Sequence, residues 1–259
     1  MRKAMLLLAA FGLVASLWAA GPFDGTWKVN VNRIQFPQKP EEWVLQNGTY
    51  VSSTSVPKVN VKADGTDQPV AGSKDYDTLA VRIVDDKTVE MTNKKGARVV
   101  GSSRGVVSAD GKTITFDFTI YPESSKQPIT GKLTLIRVAA GPSGSHAMSG
   151  SWRMQKADAS ENALTVTYKS SADGLMMSDP VGESYDAKFD GKEYPIQGAA
   201  GYTVSLTKVN DRSIDETDRR DGKVVSVSHL TVSADGKTLT VRSEDKVQGT
   251  TTTYTATRQ

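Results

Sequence analysis

The chain has 259 residues, of which 37% are hydrophobic, 24% charged and 7% aromatic, an ordinary globular composition with room for one large domain or two of about 120 residues. Cysteine is absent and histidine occurs twice, which excludes disulfides, thiolate metal sites, cysteine nucleophiles and His-rich metal centres, so no metal or cofactor is expected. The formal charge of +3 falls to +1 once Arg2 and Lys3 are set aside, and no basic stripe remains to point to nucleic acid or an anionic membrane surface.

In chain order, Arg2 and Lys3 precede an uncharged, mostly apolar run from Ala4 to Leu17, and the small residues Ala19, Ala20 and Gly21 follow. This pattern predicts a secretory signal peptide over residues 1–20, cut after Ala19 or Ala20, and hence a periplasmic or secreted protein. The apolar run is too short to span a bilayer, so no membrane span is expected after cleavage. The remainder repeats itself. Val107-Ser-Ala-Asp-Gly-Lys-Thr113 recurs as Val232-Ser-Ala-Asp-Gly-Lys-Thr238, an offset of 125 that also maps Trp27 onto Trp152 and Val84–Glu90 onto Val209–Asp215. Ala139-Ala-Gly-Pro-Ser-Gly-Ser145 has the composition of a linker, which places two separable units at 21–140 and 147–259.

Both units carry strand periodicity. Tyr202, Val204 and Leu206 alternate with Thr203, Ser205 and Thr207, and Leu239 and Val241 alternate with threonines and Arg242. Asp110-Gly111 and Asp235-Gly236 suit type I′ hairpin turns, and a turn of helix is expected around Glu41-Glu42. The class is all-β, with about eight to ten antiparallel strands per unit, and closure into a barrel removes the exposed edges of such a meander. Each unit opens with Gly-x-Trp and ends with an arginine, 110 residues after Trp27 at Arg137 and 106 after Trp152 at Arg258. The first and last strands of an up-and-down barrel are neighbours, so Arg137 is expected over Trp27 and Arg258 over Trp152, closing each barrel by a cation–π contact. In these residues the chain resembles the calycin superfamily, the lipocalins and their shorter relatives, and is similar to exported tandem lipocalin-like proteins of bacteria. The resemblance implies two tandem up-and-down barrels and a small-molecule ligand.

Gly101-Ser-Ser-Arg-Gly105 has the letters of a hydrolase nucleophile motif, but β-pattern and an Asp-Gly turn follow where a helix is required, so a plain strand is the preferred reading. His229 aligns with Arg104, which suggests polar groups entering the barrels at equivalent places, while a solvent-facing strand histidine is the blander reading. His146 is expected to be exposed beside the linker. Asp85-Asp86 and Asp218-Arg219-Arg220-Asp221 read as solvated turns, and Asn47-Gly48-Thr49 is a glycosylation sequon by letters only. Tyr168, Met176, Met177, Tyr185 and His229 could surround one cavity, so ligand binding is expected mainly in the second unit; the first has only Met91 among methionines in its span and presents Arg104. The expected function is non-catalytic binding of a small apolar or amphipathic molecule. The alternative is a structural or protein-interaction module of the cell envelope with filled barrels, and an enzyme ranks third.

Overall fold

A computed structural model describes residues 21–259; the expected signal peptide falls on residues 1–20, outside them. In chain order the strands are β1 (Gly25–Val29), β2 (Glu41–Gln46), β3 (Thr49–Ser52), β4 (Val59–Lys62), β5 (Gln68–Pro69), β6 (Thr78–Asp85), β7 (Thr88–Lys95), β8 (Arg98–Val107), β9 (Thr113–Ile120) and β10 (Ile129–Ala140). They continue as β11 (Gly150–Ala159), β12 (Thr165–Ser170), β13 (Gly174–Ser178), β14 (Ser184–Lys188), β15 (Tyr194–Pro195), β16 (Tyr202–Asn210), β17 (Ser213–Arg220), β18 (Lys223–Val232), β19 (Thr238–Asp245) and β20 (Thr250–Arg258). All pairings are antiparallel, in two sheets of ten strands that curl into nearly closed barrels, so the all-β tandem-barrel class holds.

The two sheets do not follow the two repeats. The first runs β4-β3-β2-β11-β10-β9-β8-β7-β6-β5 and the second β14-β13-β12-β1-β20-β19-β18-β17-β16-β15. Each barrel therefore takes its Gly-x-Trp strand from the other repeat: β1 lies between β12 and β20, and β11 between β10 and β2. The expected pairing of Trp27 with Arg137 and Trp152 with Arg258 is overturned. Arg258 lies 4.6 Å from the Trp27 ring centre and Arg137 lies 4.0 Å from that of Trp152. The chain crosses between barrels at residues 30–40 and 160–164, whereas the expected linker Ala139–Ser145 is the end of β10 and the start of the loop that joins it to its sheet neighbour β11.

Equivalent short segments stopper one end of each barrel. In the first, Met148 is fully buried, the Trp152 Nε1 donates to the Met148 carbonyl at 2.8 Å, and Arg137 donates to the carbonyls of Gly111, Ala147 and Ser149 at 2.5–2.6 Å. In the second, Phe23 takes the place of Met148: Trp27 donates to its carbonyl at 2.8 Å, and Arg258 donates to those of Asp24 and Pro22. The glycine of Gly-x-Trp serves this packing, since Gly150 has φ +139° and a Cβ there would fall 2.4 Å from the Ala139 carbonyl and 2.7 Å from Arg137. His146 belongs to the stopper and is half-buried, contrary to expectation. Its Nδ1 accepts from the Met148 N–H at 3.1 Å, so its Nε2 carries the proton and donates to the Asp85 carbonyl at 2.7 Å.

Local sequence explains the remaining elements. Apolar residues at every second position point inward, as Val59 and Val61 in β4, Leu79 and Val81 in β6, and Leu239 and Val241 in β19. Asn47-Gly48 (φ +51° and +70°) and Asp221-Gly222 (φ +50° and +76°) form the tight turns with two left-handed residues. At Asp110-Gly111 only the glycine has positive φ, and the aspartate instead accepts from Ser108 Oγ at 2.7 Å and Lys112 N–H at 3.0 Å, so these loops are not type I′. Glu41 and Glu42 begin strand β2 rather than a helix, because their backbone pairs with β11; a 3-10 turn forms at Val31–Arg33 instead. The edges meet at single bridges, Asp64 with Arg82 in the first barrel and Ser184 with Gln197 in the second. Among the described residues no helix is long and apolar enough to cross a membrane.

Candidate functional site

The two barrels share a backbone plan and differ in what fills them. In the first, Gly101, Ser103 and Gly105 of β8 face inward opposite Phe116 and Phe118 of β9. A Cβ on Gly105 would lie 2.5 Å from the Phe116 ring, so the glycine makes room for the aromatic. Trp43 packs edge-on against Phe116, with ring centres 5.6 Å apart and planes at 85°. Met91, Leu133 and Met154 complete an apolar wall around a cavity of about 420 Å³. The polar groups of its lining, chiefly Asn93, Ser102, Ser103, Thr119 and Glu41, are few. Tyr50, buried at its side, has its hydroxyl pKa raised by burial.

At the equivalent positions of the second barrel, 125 residues on, Met91 and Asn93 become Glu216 and Asp218, Gly105 becomes Leu230, and Phe116 and Phe118 become Val241 and Ser243. The aromatic pair is lost, and two acids stand in place of Met91 and Asn93. Tyr185 donates its hydroxyl proton to Glu216 at 2.5 Å, and Ser226 donates to Asp218 at 2.8 Å. The other Asp218 oxygen is enclosed and has no hydrogen-bond partner. Burial, followed by the charge of Asp218, pushes the Glu216 pKa up to about 7, against the opposing Tyr185 hydrogen bond. Burial likewise raises Asp218, with the Ser226 hydrogen bond opposing it. Glu216 is half-buried, and protein surrounds its carboxyl group closely enough to disfavour the charge. The phenols of Tyr168 and Tyr185 are raised by burial and then by Glu216, and that of Tyr254 is pushed up to about 12 for the same reasons.

The open mouths of the barrels share a cleft of about 660 Å³. Lys74, Lys95 and Arg98 line it from the first repeat, and Glu183, Tyr202, Asp218 and Arg220 from the second. Asn93, Gly101 and Ile120 line both this cleft and the apolar cavity, so the two spaces adjoin. Struts hold the walls together: Arg220 to Asp75 at 2.8 Å, with its guanidinium 5.0 Å from the Tyr202 ring centre, Lys74 to Asp221 at 3.2 Å, and Ser124 Oγ to the Val181 carbonyl at 2.6 Å.

The five residues expected to line a ligand site are not gathered around one lumen. Tyr168, Tyr185 and Met177 pack into the core of the second barrel, while Met176 points outward and is 41% exposed. Met176, Met177 and Tyr185 do border a separate open groove of about 450 Å³ beside the β14 edge. His229 stands on the outer face, where its Nδ1 lies 2.7 Å from Asp215 Oδ1, and Arg104 pairs with Glu90 at the equivalent place in the first barrel. Neither enters an interior. Gly101–Gly105 lies wholly within strand β8, as the strand reading expected. Asp218 is not in a solvated turn. It stands on the inward face of β17 with Ile214 and Glu216, and that two-residue alternation is the signal that identifies it. Among the described residues no group of three or more His, Asp or Glu side chains is placed to hold a metal.

Comparison with protein-family models, with curated proteins and with solved structures finds no match to this chain.

Proposed function

We propose that this chain is an exported, non-catalytic binding protein of calycin type that holds a small apolar or amphipathic molecule in its first barrel. The observation that carries the reading is the cavity of about 420 Å³ walled by Trp43, Met91, Phe116, Phe118, Leu133 and Met154. Its size falls in the usual range of small-molecule sites, roughly 300 to 1,000 Å³, and its chemistry is theirs, apolar walls with a few polar groups to fix orientation. The second barrel fits the alternative of a filled barrel better, since Leu206, Leu230 and Leu239 and the tyrosines occupy its interior. Export rests on the basic, apolar and small-residue pattern of residues 1–20.

Native mass spectrometry of protein purified from its host, with titration of Trp43 fluorescence by an apolar probe such as a fluorescent fatty alcohol, tests the reading. A retained molecule or saturable quenching is expected, and both are lost in Ser103→Phe, which puts an aromatic ring into the cavity while leaving the fold's circular dichroism intact. Absence of any retained molecule and of quenching in the unmodified protein transfers the proposal to the structural module.

A further inference from the structure

The apolar cavity adjoins the cleft between the barrels: Asn93, Gly101 and Ile120 line both spaces. The cleft is electrically two-sided. On the wall from the first repeat, Lys95 Nζ donates to the Lys74 carbonyl at 3.1 Å and Arg98 donates to the Tyr121 carbonyl at 2.9 Å; both partners are neutral. On the facing wall stand Glu183 and Asp218. Burial and neighbouring carboxylates raise the Glu183 pKa, burial raises that of Asp218, and no cation offsets either effect. One Asp218 oxygen is enclosed and unpartnered. Of the remaining charges of the cleft, Arg220 pairs with Asp75 and Lys74 with Asp221, while Glu123 stands unpaired on the first-repeat side and leaves that side, with Lys95 and Arg98, one positive charge in excess.

We infer that the cleft is the head-group subsite of the first-barrel cavity, and that the ligand is a single-chain amphiphile with a zwitterionic head, its anionic group toward Lys95 and Arg98 and its cationic group toward Glu183 and Asp218. This rests on the cavity reading above and makes the binding site a joint product of both repeats. A head of one sign satisfies one wall and faces uncompensated like charge on the other, which costs affinity wherever solvent is excluded.

Affinities of the full chain for four dodecyl probes, each below its micelle concentration and read by tryptophan fluorescence and calorimetry, test the inference. The probes are dodecylphosphocholine, dodecyltrimethylammonium, dodecanoate and dodecyl maltoside. Dodecylphosphocholine is expected to bind about tenfold more tightly than each of the others, a difference of about 1.4 kcal/mol. Arg98→Gln and Asp218→Asn should each remove about that preference while leaving dodecyl maltoside unchanged, with Glu183→Gln as the second acidic variant if Asp218→Asn does not fold. Equal affinity for all four probes, a best ligand of single charge, or a preference that survives the charge variants overturns the head-group inference. If Ser103→Phe still abolishes binding in those cases, the cavity reading stands alone. Failure of all four probes to bind the unmodified protein overturns the cavity reading, and this inference falls with it.

Discussion

Arg258→Ala and Trp27→Phe, made singly and together, measure the exchanged barrel closure directly. Arg258 donates two hydrogen bonds to carbonyl oxygens, those of Asp24 at 2.6 Å and Pro22 at 2.5 Å, and lies 4.6 Å from the Trp27 ring centre. Charge-assisted hydrogen bonds of this kind contribute about 1.5 kcal/mol each at the low end, and a part-buried cation–π contact about 1 kcal/mol. Some of this returns when water reaches the freed carbonyls, so Arg258→Ala is expected to cost about 3 kcal/mol. Arg242→Ala, which removes a solvent-exposed pair with Glu244, should be close to neutral. The decisive quantity is the coupling. Arg258 with Trp27 should show an interaction energy of about 1 kcal/mol, and Arg258 with Trp152, in the other barrel, none beyond about 0.5 kcal/mol. Urea unfolding followed by far-ultraviolet circular dichroism gives each term. Coupling of Arg258 to Trp152 with none to Trp27 would show that each barrel keeps its own first strand and would refute the exchange.

Two further outcomes follow from the same geometry. Glu216 has a pKa near 7 when folded against an ordinary 4.5, so the folded chain holds a proton that the unfolded chain loses between these values. Stability is then fully present below about pH 4.5 and falls as the pH rises through 7, by at most about 3 kcal/mol and less where solvent enters the mouth. Glu216→Gln should flatten that slope in pH-resolved urea titrations, and an unchanged slope in the variant removes Glu216 as its source. A protease site placed in the exposed Pro142–Gly144 stretch should yield a nicked protein whose two pieces stay together on a sizing column in native buffer, since each piece supplies a strand to the other's sheet. Separation of the pieces without denaturant would contradict the topology.

Much of this architecture is legible in the sequence because alternation and repetition are backbone-scale signals. The 125-residue offset, the inward rows of Val and Leu, and the Trp and Arg at the repeat ends all return as strands and stoppers. The exchange itself is not legible, because Gly25-Thr-Trp27 and Gly150-Ser-Trp152 present nearly the same side chains to either barrel, and nothing local distinguishes the two hosts. The lumen chemistry was within reach: Ile214, Glu216 and Asp218 share a strand face, but the charged run Asp218–Asp221 resembles a turn, and only Asp221-Gly222 is one. The apolar site is hidden in the sequence for a different reason. Its aromatic residues are ordinary core residues one by one, and the cavity arises from the small Gly101 and Ser103 that face them.

The exchanged first strand also sets an order on synthesis. The first barrel has its last strand once Ala159 has been made, but β1, the first described strand to leave the ribosome, finds its β20 neighbour only when Arg258 arrives. Through that interval one edge of Gly25–Val29 lacks its final partner, and the Trp27 indole lacks the guanidinium that covers it. A chain cut short anywhere in β20 therefore leaves its defect beside its beginning, as an unpaired strand edge of the kind that recruits other chains or a protease. Completion of β20 is what seals β1.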